Sequence, residues 1–137
     1  MTFLLDTTVL AELRKGDRAN ANVRSWFDAL DPSEIRLSVV TVGEIRRGVE
    51  NVQRRDPAAA SALERWLARL VRDYGDAILP IDVAVAEAWG RLNVPNAVPS
   101  IDGLLAATAQ VYGLTLATRN TRDVARTGIE VVNPFDR

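Results

Sequence analysis

Short apolar runs alternate with amphipathic stretches along the chain. Residues 3–5 are apolar without polar alternation, which is typical of a strand buried on both faces of a sheet. Further strands are predicted in IRLSVVT, AILPID, LTLAT and IEVV. Between these runs the apolar positions recur at helical spacing, which predicts helices. The alternation favours an α/β fold, a three-layer α/β/α sandwich with a mostly parallel central sheet.

Several predicted helices begin at recognisable capping residues. Thr7 or Thr8 can cap a helix after the first strand. Thr41 can cap the helix after IRLSVVT, because TVGE has the spacing of a capping box. Pro57 suits the first position of a longer helix, and Ser100 can cap the helix that follows a proline-containing loop.

Acidic residues follow several of these strands. The carboxyl ends of parallel strands meet at one edge of a sheet, where α/β folds bind their ligands. Asp6 directly follows the first strand, and Asp123 follows the fourth. Glu44 and Asp102 fall in the predicted first turns of two helices, where the helix dipole also favours an acid. Asp123 has a similar local explanation, because Asn120 can cap the short helix that contains it.

These four acids predict a particular kind of chemistry if they converge. Carboxylates within a few ångströms repel one another and raise one another's pKa, so a fold does not gather them for stability. A divalent cation neutralises them and can activate a water molecule that attacks a phosphate. We therefore expect hydrolysis of a phosphodiester by a Mg²⁺- or Mn²⁺-activated water, with four catalytic acids: Asp6, Glu44, Asp102 and Asp123.

The amino-acid composition also favours catalysis by a metal ion with oxygen ligands. The 137-residue chain contains no cysteine and no histidine, which excludes disulfides, thiolate or histidine metal sites and Ser–His catalysis. A site built from oxygen ligands suits Mg²⁺ or Mn²⁺. The net charge is −1, so the chain lacks the basic excess of a protein that coats nucleic acid. With no leader and no long apolar run, we expect a soluble, cytoplasmic protein.

Four segments resemble successive motifs of PIN-domain proteins, in particular the toxin subunits of VapBC-type toxin–antitoxin pairs. They are FLLDTTVLAEL, SVVTVGEIRRGV, PSIDGLLAATAQVYGLTLATRNTRD and GIEVVNPF. The resemblance runs in order from Phe3 to Phe135 and covers nearly the whole chain. We therefore expect residues 1–137 to form a single PIN-like domain.

The resemblance implies a Mg²⁺- or Mn²⁺-dependent endoribonuclease with an acidic pocket. Asp6, Glu44 and Asp102 match the family's core metal-binding acids, and Asp6 and Asp102 are the expected metal ligands. The fourth acid falls on Asp123. Some members carry an acid at the position that this chain fills with Asn120, so Asp123 and Asn120 both remain candidates for the fourth position.

Supporting residues and partners also follow from the resemblance. Thr7 stands where the family commonly has a hydroxyl or amide, Thr118 is expected to bond a pocket carboxylate, and Asn120 completes the supporting pocket. Such toxins inhibit translation by cutting RNA, are usually homodimers, and are held inactive by an antitoxin. We therefore expect an RNA substrate, a cognate antitoxin and a homodimer.

Arginines and tryptophans are the remaining candidates for contacts with RNA. Arg119 and Arg46 are RNA-binding candidates, because an acidic pocket repels phosphates and nearby arginines can guide the strand. Ordinary surface salt bridges are the alternative interpretation. Trp26, Trp66 and Trp89 fall on apolar helical stripes and are predicted to pack in the core.

Two other functional classes compete with the nuclease. A non-catalytic RNA- or partner-binding module would keep the fold and need no metal. A phosphatase of the haloacid-dehalogenase type is suggested by LLDTTVL, but that class needs a lysine near the phosphate. The single lysine, Lys15, is badly placed for this role. Metal-dependent cleavage of RNA distinguishes the nuclease from the binding module.

Overall fold

The computed structural model describes residues 1–136, in which short strands alternate with α-helices. The strands are β1 (Phe3–Leu5), β2 (Ile35–Ser38), β3 (Ile78–Leu79), β4 (Thr115–Ala117) and β5 (Val131–Val132). The α-helices are α1 (Thr7–Leu13), α2 (Ala21–Asp28), α3 (Val39–Gln53), α4 (Pro57–Tyr74), α5 (Val83–Leu92), α6 (Ser100–Tyr112) and α7 (Thr121–Val124). None of these helices is both long enough and apolar enough to cross a membrane.

β1 is the central strand of a five-stranded parallel sheet with the order β3-β2-β1-β4-β5. Phe3 pairs with Ile35 of β2 on one side and with Thr115 of β4 on the other. The chain moves outward from β1 to β3 and then returns to place β4 on the opposite side of β1. The strand order therefore reverses between β1 and β4, and a ligand crevice is expected at the carboxyl ends of these two strands.

Helices cover both faces of the sheet. Phe3 and Leu5 of β1 pack on one face with Val9 of α1, whereas Leu4 packs on the other face with Leu105 of α6. The alternation follows from the two-residue period of a strand, and both sets of side chains are buried. The predicted parallel sheet between helical layers is confirmed.

The structure corrects the predicted start of α1. Asp6 is the cap: its backbone is extended, and its carboxylate accepts a hydrogen bond from the Val9 amide at 3.1 Å. Thr7 and Thr8 already lie inside the helix. The prediction was wrong because the strand ends at Leu5 and Asp6 alone forms the connection to the helix.

The predicted cap of α3 is also wrong. Ser38, the last residue of β2, accepts a hydrogen bond from the Val40 amide at 3.0 Å, so the helix begins at residue 39. Thr41 is therefore inside the helix, and its buried hydroxyl has no hydrogen-bond partner among the described residues. Glu44 lies in the second turn rather than the first, so helix capping does not explain it.

The beginning of α6 differs slightly from its prediction as well. Ser100 is the first residue of the helix rather than its cap, and Pro99, at the cap position, makes no side-chain capping bond. Asp102 still falls in the first turn, as predicted. Gly113 ends the helix in the left-handed conformation, with a φ of +67°.

The three tryptophans do not share one environment. Trp26 and Trp66 pack against the core cluster that contains Phe3 and Leu5, as predicted. Trp89 lies outside this cluster and keeps 36 % of its surface exposed. The prediction of core packing is wrong for Trp89, because its indole lies beside Gly103 of α6 rather than in the cluster around Phe3 and Leu5.

Two glycine substitutions test the backbone preferences at the end of α6 and inside α3. No atom lies within 4 Å of a Cβ placed at Gly113 or Gly48, so only backbone preferences change. We expect Gly113→Ala to lower the free energy of unfolding by about 1 kcal/mol, because alanine disfavours a positive φ. Gly48→Ala, inside α3, should raise it by about 1 kcal/mol. Urea denaturation measures both, and changes of the same sign would contradict this account.

Candidate active site

Four acidic residues from separate parts of the chain lie at the carboxyl edge of the sheet. Asp6 follows β1 and is 4 % exposed, and Asp123 follows β4 and is exposed. Glu44 on α3 and Asp102 on α6 are half-buried. α1, α3 and α7 each follow a strand of the parallel sheet, whereas α6, which carries Asp102, follows α5.

Asp6 has hydrogen-bond partners for both of its carboxylate oxygens. Oδ1 accepts from the Thr8 hydroxyl at 2.6 Å and from the Val9 amide at 3.1 Å. Oδ2 accepts a short hydrogen bond from the hydroxyl of Thr118, which is 1 % exposed. The predicted bond from Thr118 to a pocket carboxylate is thus observed. These donors make the buried charge tolerable, because an unpartnered carboxylate would not be stable there.

Two threonines of α1 hold two different acids. The Thr7 hydroxyl donates to Oε1 of Glu44 at 2.6 Å, which joins α1 to α3 across the site. Thr8, predicted as a possible helix cap, donates to Asp6 and accepts from the Arg119 amide at 3.2 Å. A pair of hydroxyls directly after a strand-end acid was the available signal for this role.

The pKa of Asp102 is affected by the charges of the other three acids. Burial raises the pKa of Asp102, and the negative charge of Asp123 raises this pKa further. Asp6 and then Glu44 add smaller effects of the same sign. Four segments separated along the chain therefore interact at Asp102.

The segment after β4 closes one side of the site. The Asn120 amide donates to the Thr118 hydroxyl at 3.0 Å, which positions the turn beside Asp6. Asn120 occupies the cap position of α7, but its side chain makes no capping bond, contrary to the prediction. Asp123, in the first turn of α7, faces Asp102 closely enough to raise its pKa.

The donor set is compatible with a magnesium-type cation. In the described part of the chain, no three acidic side chains already form a group that could hold a metal ion. Magnesium needs fewer, because it is commonly bound through one or two carboxylates while keeping several waters. Oδ2 of Asp6 accepts a single bond and keeps acceptor capacity, and Oε2 of Glu44 accepts no side-chain bond within residues 1–136.

The arginine candidates have different surroundings. The Arg119 guanidinium lies over the Phe135 ring, 4.5 Å from its centroid, and its backbone is tied to Thr8 in the site. Arg46 forms ion pairs on the surface with Glu64 at 2.9 Å and Glu50 at 3.5 Å.

Two hollows adjoin α3. One, of about 650 Å³, lies between α3 and α4 and includes none of the four acids. A smaller one, of about 260 Å³, is lined by Glu44 and by Ile101 and Leu104 of α6, so it opens beside the acidic cluster. The lysine required by the phosphatase hypothesis is elsewhere: Lys15 is exposed and paired with Glu12 at 3.0 Å.

A parallel sheet with acidic residues at its switch point is an architecture found among metal-dependent nucleases. The PIN domain family model matches residues 3–130, and the chain belongs to this family. This confirms the resemblance identified from the motifs.

Two named relatives match this chain over nearly their whole lengths. Toxin FitB of Neisseria gonorrhoeae is 31 % identical, covering 96 % of this chain and 97 % of its own. VapC ribonuclease Y4jK of Sinorhizobium fredii is 29 % identical, covering 97 % of both chains. The crystal structure of FitAcB from Neisseria gonorrhoeae superimposes with a TM-score of 0.89 at 30 % identity, over 99 % of this chain and 100 % of that one.

Removing one charge from the cluster should stabilise the metal-free protein. Asp102→Asn keeps the shape of the side chain, so in EDTA at pH 7 we expect a higher melting temperature than for the wild type. Burial and three neighbouring acids raise the pKa of Asp102, so its charged form at pH 7 lowers the stability of the folded wild type. The difference should shrink as the pH falls through this raised pKa, and vanish below the ordinary carboxyl pKa of about 4.

Thermal melting across this pH range measures the effect. Asp76→Asn, at an exposed acid between α4 and β3, is the matched control and should change the midpoint little. A lower midpoint for Asp102→Asn at pH 7, or a difference that persists in acid, would contradict the repulsion.

Proposed function

We propose that the protein is a metal-dependent endoribonuclease that hydrolyses phosphodiesters with Asp6, Glu44, Asp102 and Asp123. The observation that carries this proposal is the convergence of three negative charges on the half-buried Asp102. Such a cluster opposes folding unless a cation occupies it. Membership of the PIN family and the relative named a VapC ribonuclease support RNA as the substrate.

Asp6 and Asp102 are the proposed metal ligands, with Mg²⁺ or Mn²⁺ as the metal. When bound, the cation supplies positive charge for the phosphate oxygens and acidifies a water molecule for attack on phosphorus. The chain contains no histidine or cysteine, so its metal ligands must be oxygen atoms. Oxygen ligands suit these hard cations.

Each pocket residue has a structural role in this proposal. Thr8 and Thr118 fix the direction of both Asp6 oxygens, so Asp6 needs no reorganisation when the pocket is occupied. Thr7 donates to Oε1 of Glu44, and Oε2 accepts no side-chain bond within residues 1–136. Asp123 is exposed, and near Asp102 it can orient water. The amide of Asn120 supports Thr118.

Arg119 is the proposed contact to the phosphate backbone at the site. Its guanidinium carbon lies 4.5 Å from the centroid of the Phe135 ring, and a guanidinium offers a planar fork of donors that suits phosphate oxygens. Arg46 also remains a candidate, although binding RNA would require it to exchange its contacts with Glu64 and Glu50.

The biological role proposed for this activity is that of a toxin that inhibits translation. Toxin FitB and the VapC ribonuclease match this chain over nearly its whole length, which supports that role. The expected assembly is a homodimer in the cytoplasm, bound by a cognate antitoxin while inactive. Residues 1–137 would then form one PIN domain.

Loss of a single pocket acid should abolish RNA cleavage. We expect Asp102→Asn and Asp6→Asn to lower the cleavage rate at least about 100-fold, because each removes a charged oxygen ligand. The measurement is cleavage of a mixed RNA pool by purified protein with Mn²⁺ or Mg²⁺, followed by sequencing of the ends. EDTA should stop the reaction.

The control variant is again Asp76→Asn, which should cleave like the wild type. Cleavage that survives both EDTA and Asp102→Asn would contradict the proposed chemistry. No cleavage together with no binding of Mn²⁺ would favour the alternative, a non-catalytic module that binds RNA or a partner.

A further inference from the structure

We propose that the smaller hollow beside α3 binds one unpaired nucleobase of the RNA strand, next to the phosphodiester that is cut. This subsite rests on the proposed ribonuclease function and deepens it, because it assigns a place to part of the substrate. The hollow has a volume of about 260 Å³ and lies between α3 and α6. Its lining residues are Val40, Gly43, Glu44, Arg47, Ile101 and Leu104.

The hollow and the acidic cluster share a residue. Glu44 lines the hollow, and its charge is one of those that raise the pKa of Asp102. On the other wall, Ile101 directly precedes Asp102 in the first turn of α6. A molecule that fills the hollow therefore lies against an acid of the proposed catalytic site, which places it beside the reacting part of the strand.

The walls of the hollow are mostly apolar. Val40, Ile101 and Leu104 are half-buried, so part of each side chain remains accessible to a ligand. No atom lies within 4 Å of a Cβ placed at Gly43, so this position leaves the hollow open. Proteins that hold an unpaired base commonly place its faces between aromatic or apolar side chains. The walls therefore suit the flat face of a base.

The charges around the hollow favour a neutral ligand over a phosphate group. Glu44 and Arg47 are three positions apart on α3 and therefore lie on the same side of the helix. The polar part of the lining thus carries one negative and one positive charge. A phosphate would be repelled by the acid, whereas a base has no net charge and carries hydrogen-bond donors and acceptors on its edge.

Arg47 supplies the polar contact that selects the base. It is exposed, and within residues 1–136 it forms no ion pair, so no carboxylate holds its guanidinium. The neighbouring Arg46 lines the larger hollow instead and is paired with Glu64 and Glu50. Arginine donors commonly recognise acceptors on the edge of a base. Arg47 is therefore the specificity-determining residue of the subsite.

Binding of RNA in EDTA tests the subsite on the intact protein without cleavage. The probes are a fluorescein-labelled single-stranded RNA dodecamer of mixed sequence and the same backbone with abasic residues, and fluorescence anisotropy measures Kd. We expect the normal strand to bind about tenfold more tightly than the abasic strand. Leu104→Ala should weaken binding of the normal strand about fivefold and leave the abasic strand unchanged, because it removes wall contacts that only a base makes.

Leu104→Met keeps the volume of the side chain and should restore most of the lost affinity. The matched control is Val111→Ala, at a partly exposed apolar residue of α6 that does not line the hollow, and it should bind both strands like the wild type. Equal weakening of both strands in Leu104→Ala would overturn the proposal. Equal affinity of the wild type for both strands would also overturn it and would leave the hollow to a side chain of a protein partner.

Sequencing of the ends cut from the RNA pool provides the second test. We expect Arg47→Gln to weaken the nucleotide preference at one position next to the cut about tenfold and to leave the other positions unchanged, because Arg47 contacts a single base. Arg54→Gln removes the same charge from the C-terminal end of α3 and should keep the wild-type preference. An unchanged preference in Arg47→Gln, or the same change in Arg54→Gln, would overturn the role of Arg47. If the wild type cleaves no RNA, the proposed function fails, while the binding experiment still decides whether the hollow holds a base.

Discussion

The buried carboxylate of Asp6 is the constraint on which the rest of the site depends. It lies at the end of the central strand, between the two core layers, where a charge is stable only with hydrogen-bond donors around it. Its donors come from α1 and from the residue after β4. The hydrogen bonds to Asp6 therefore hold the start of α1 and the end of β4 next to the end of β1.

The same arrangement opposes stability at its open side. Within residues 1–136 neither Asp102 nor Asp123 forms an ion pair with a basic side chain, and burial adds to the cost of charging Asp102. Folded proteins accept such conflicts mainly at functional sites, where a ligand resolves them. Threonine hydroxyls donate to Asp6 and Glu44, whereas Asp102 experiences the negative charges of the other three acids.

Periodicity and strand-end chemistry predicted the sheet, its covering helices and the placement of the acids, because each depends on local pattern and parallel topology. The helix starts were predicted less well. Asp6 and Ser38 took the capping roles assigned to threonines, since capping depends on where each strand ends, and one residue decides this. The Thr8 contact and the exposure of Trp89 depend on how distant segments pack, which a single sequence does not specify.

The most direct test of the account is whether a cation relieves the repulsion around Asp102. Thermal melting of the wild type and of Asp102→Asn, each with increasing Mn²⁺, measures this, because a ligand that binds only the folded state raises its stability with concentration. The account predicts a rise in the wild-type midpoint that saturates, and a much smaller rise in Asp102→Asn. Equal rises in both proteins, or none in the wild type, would contradict it.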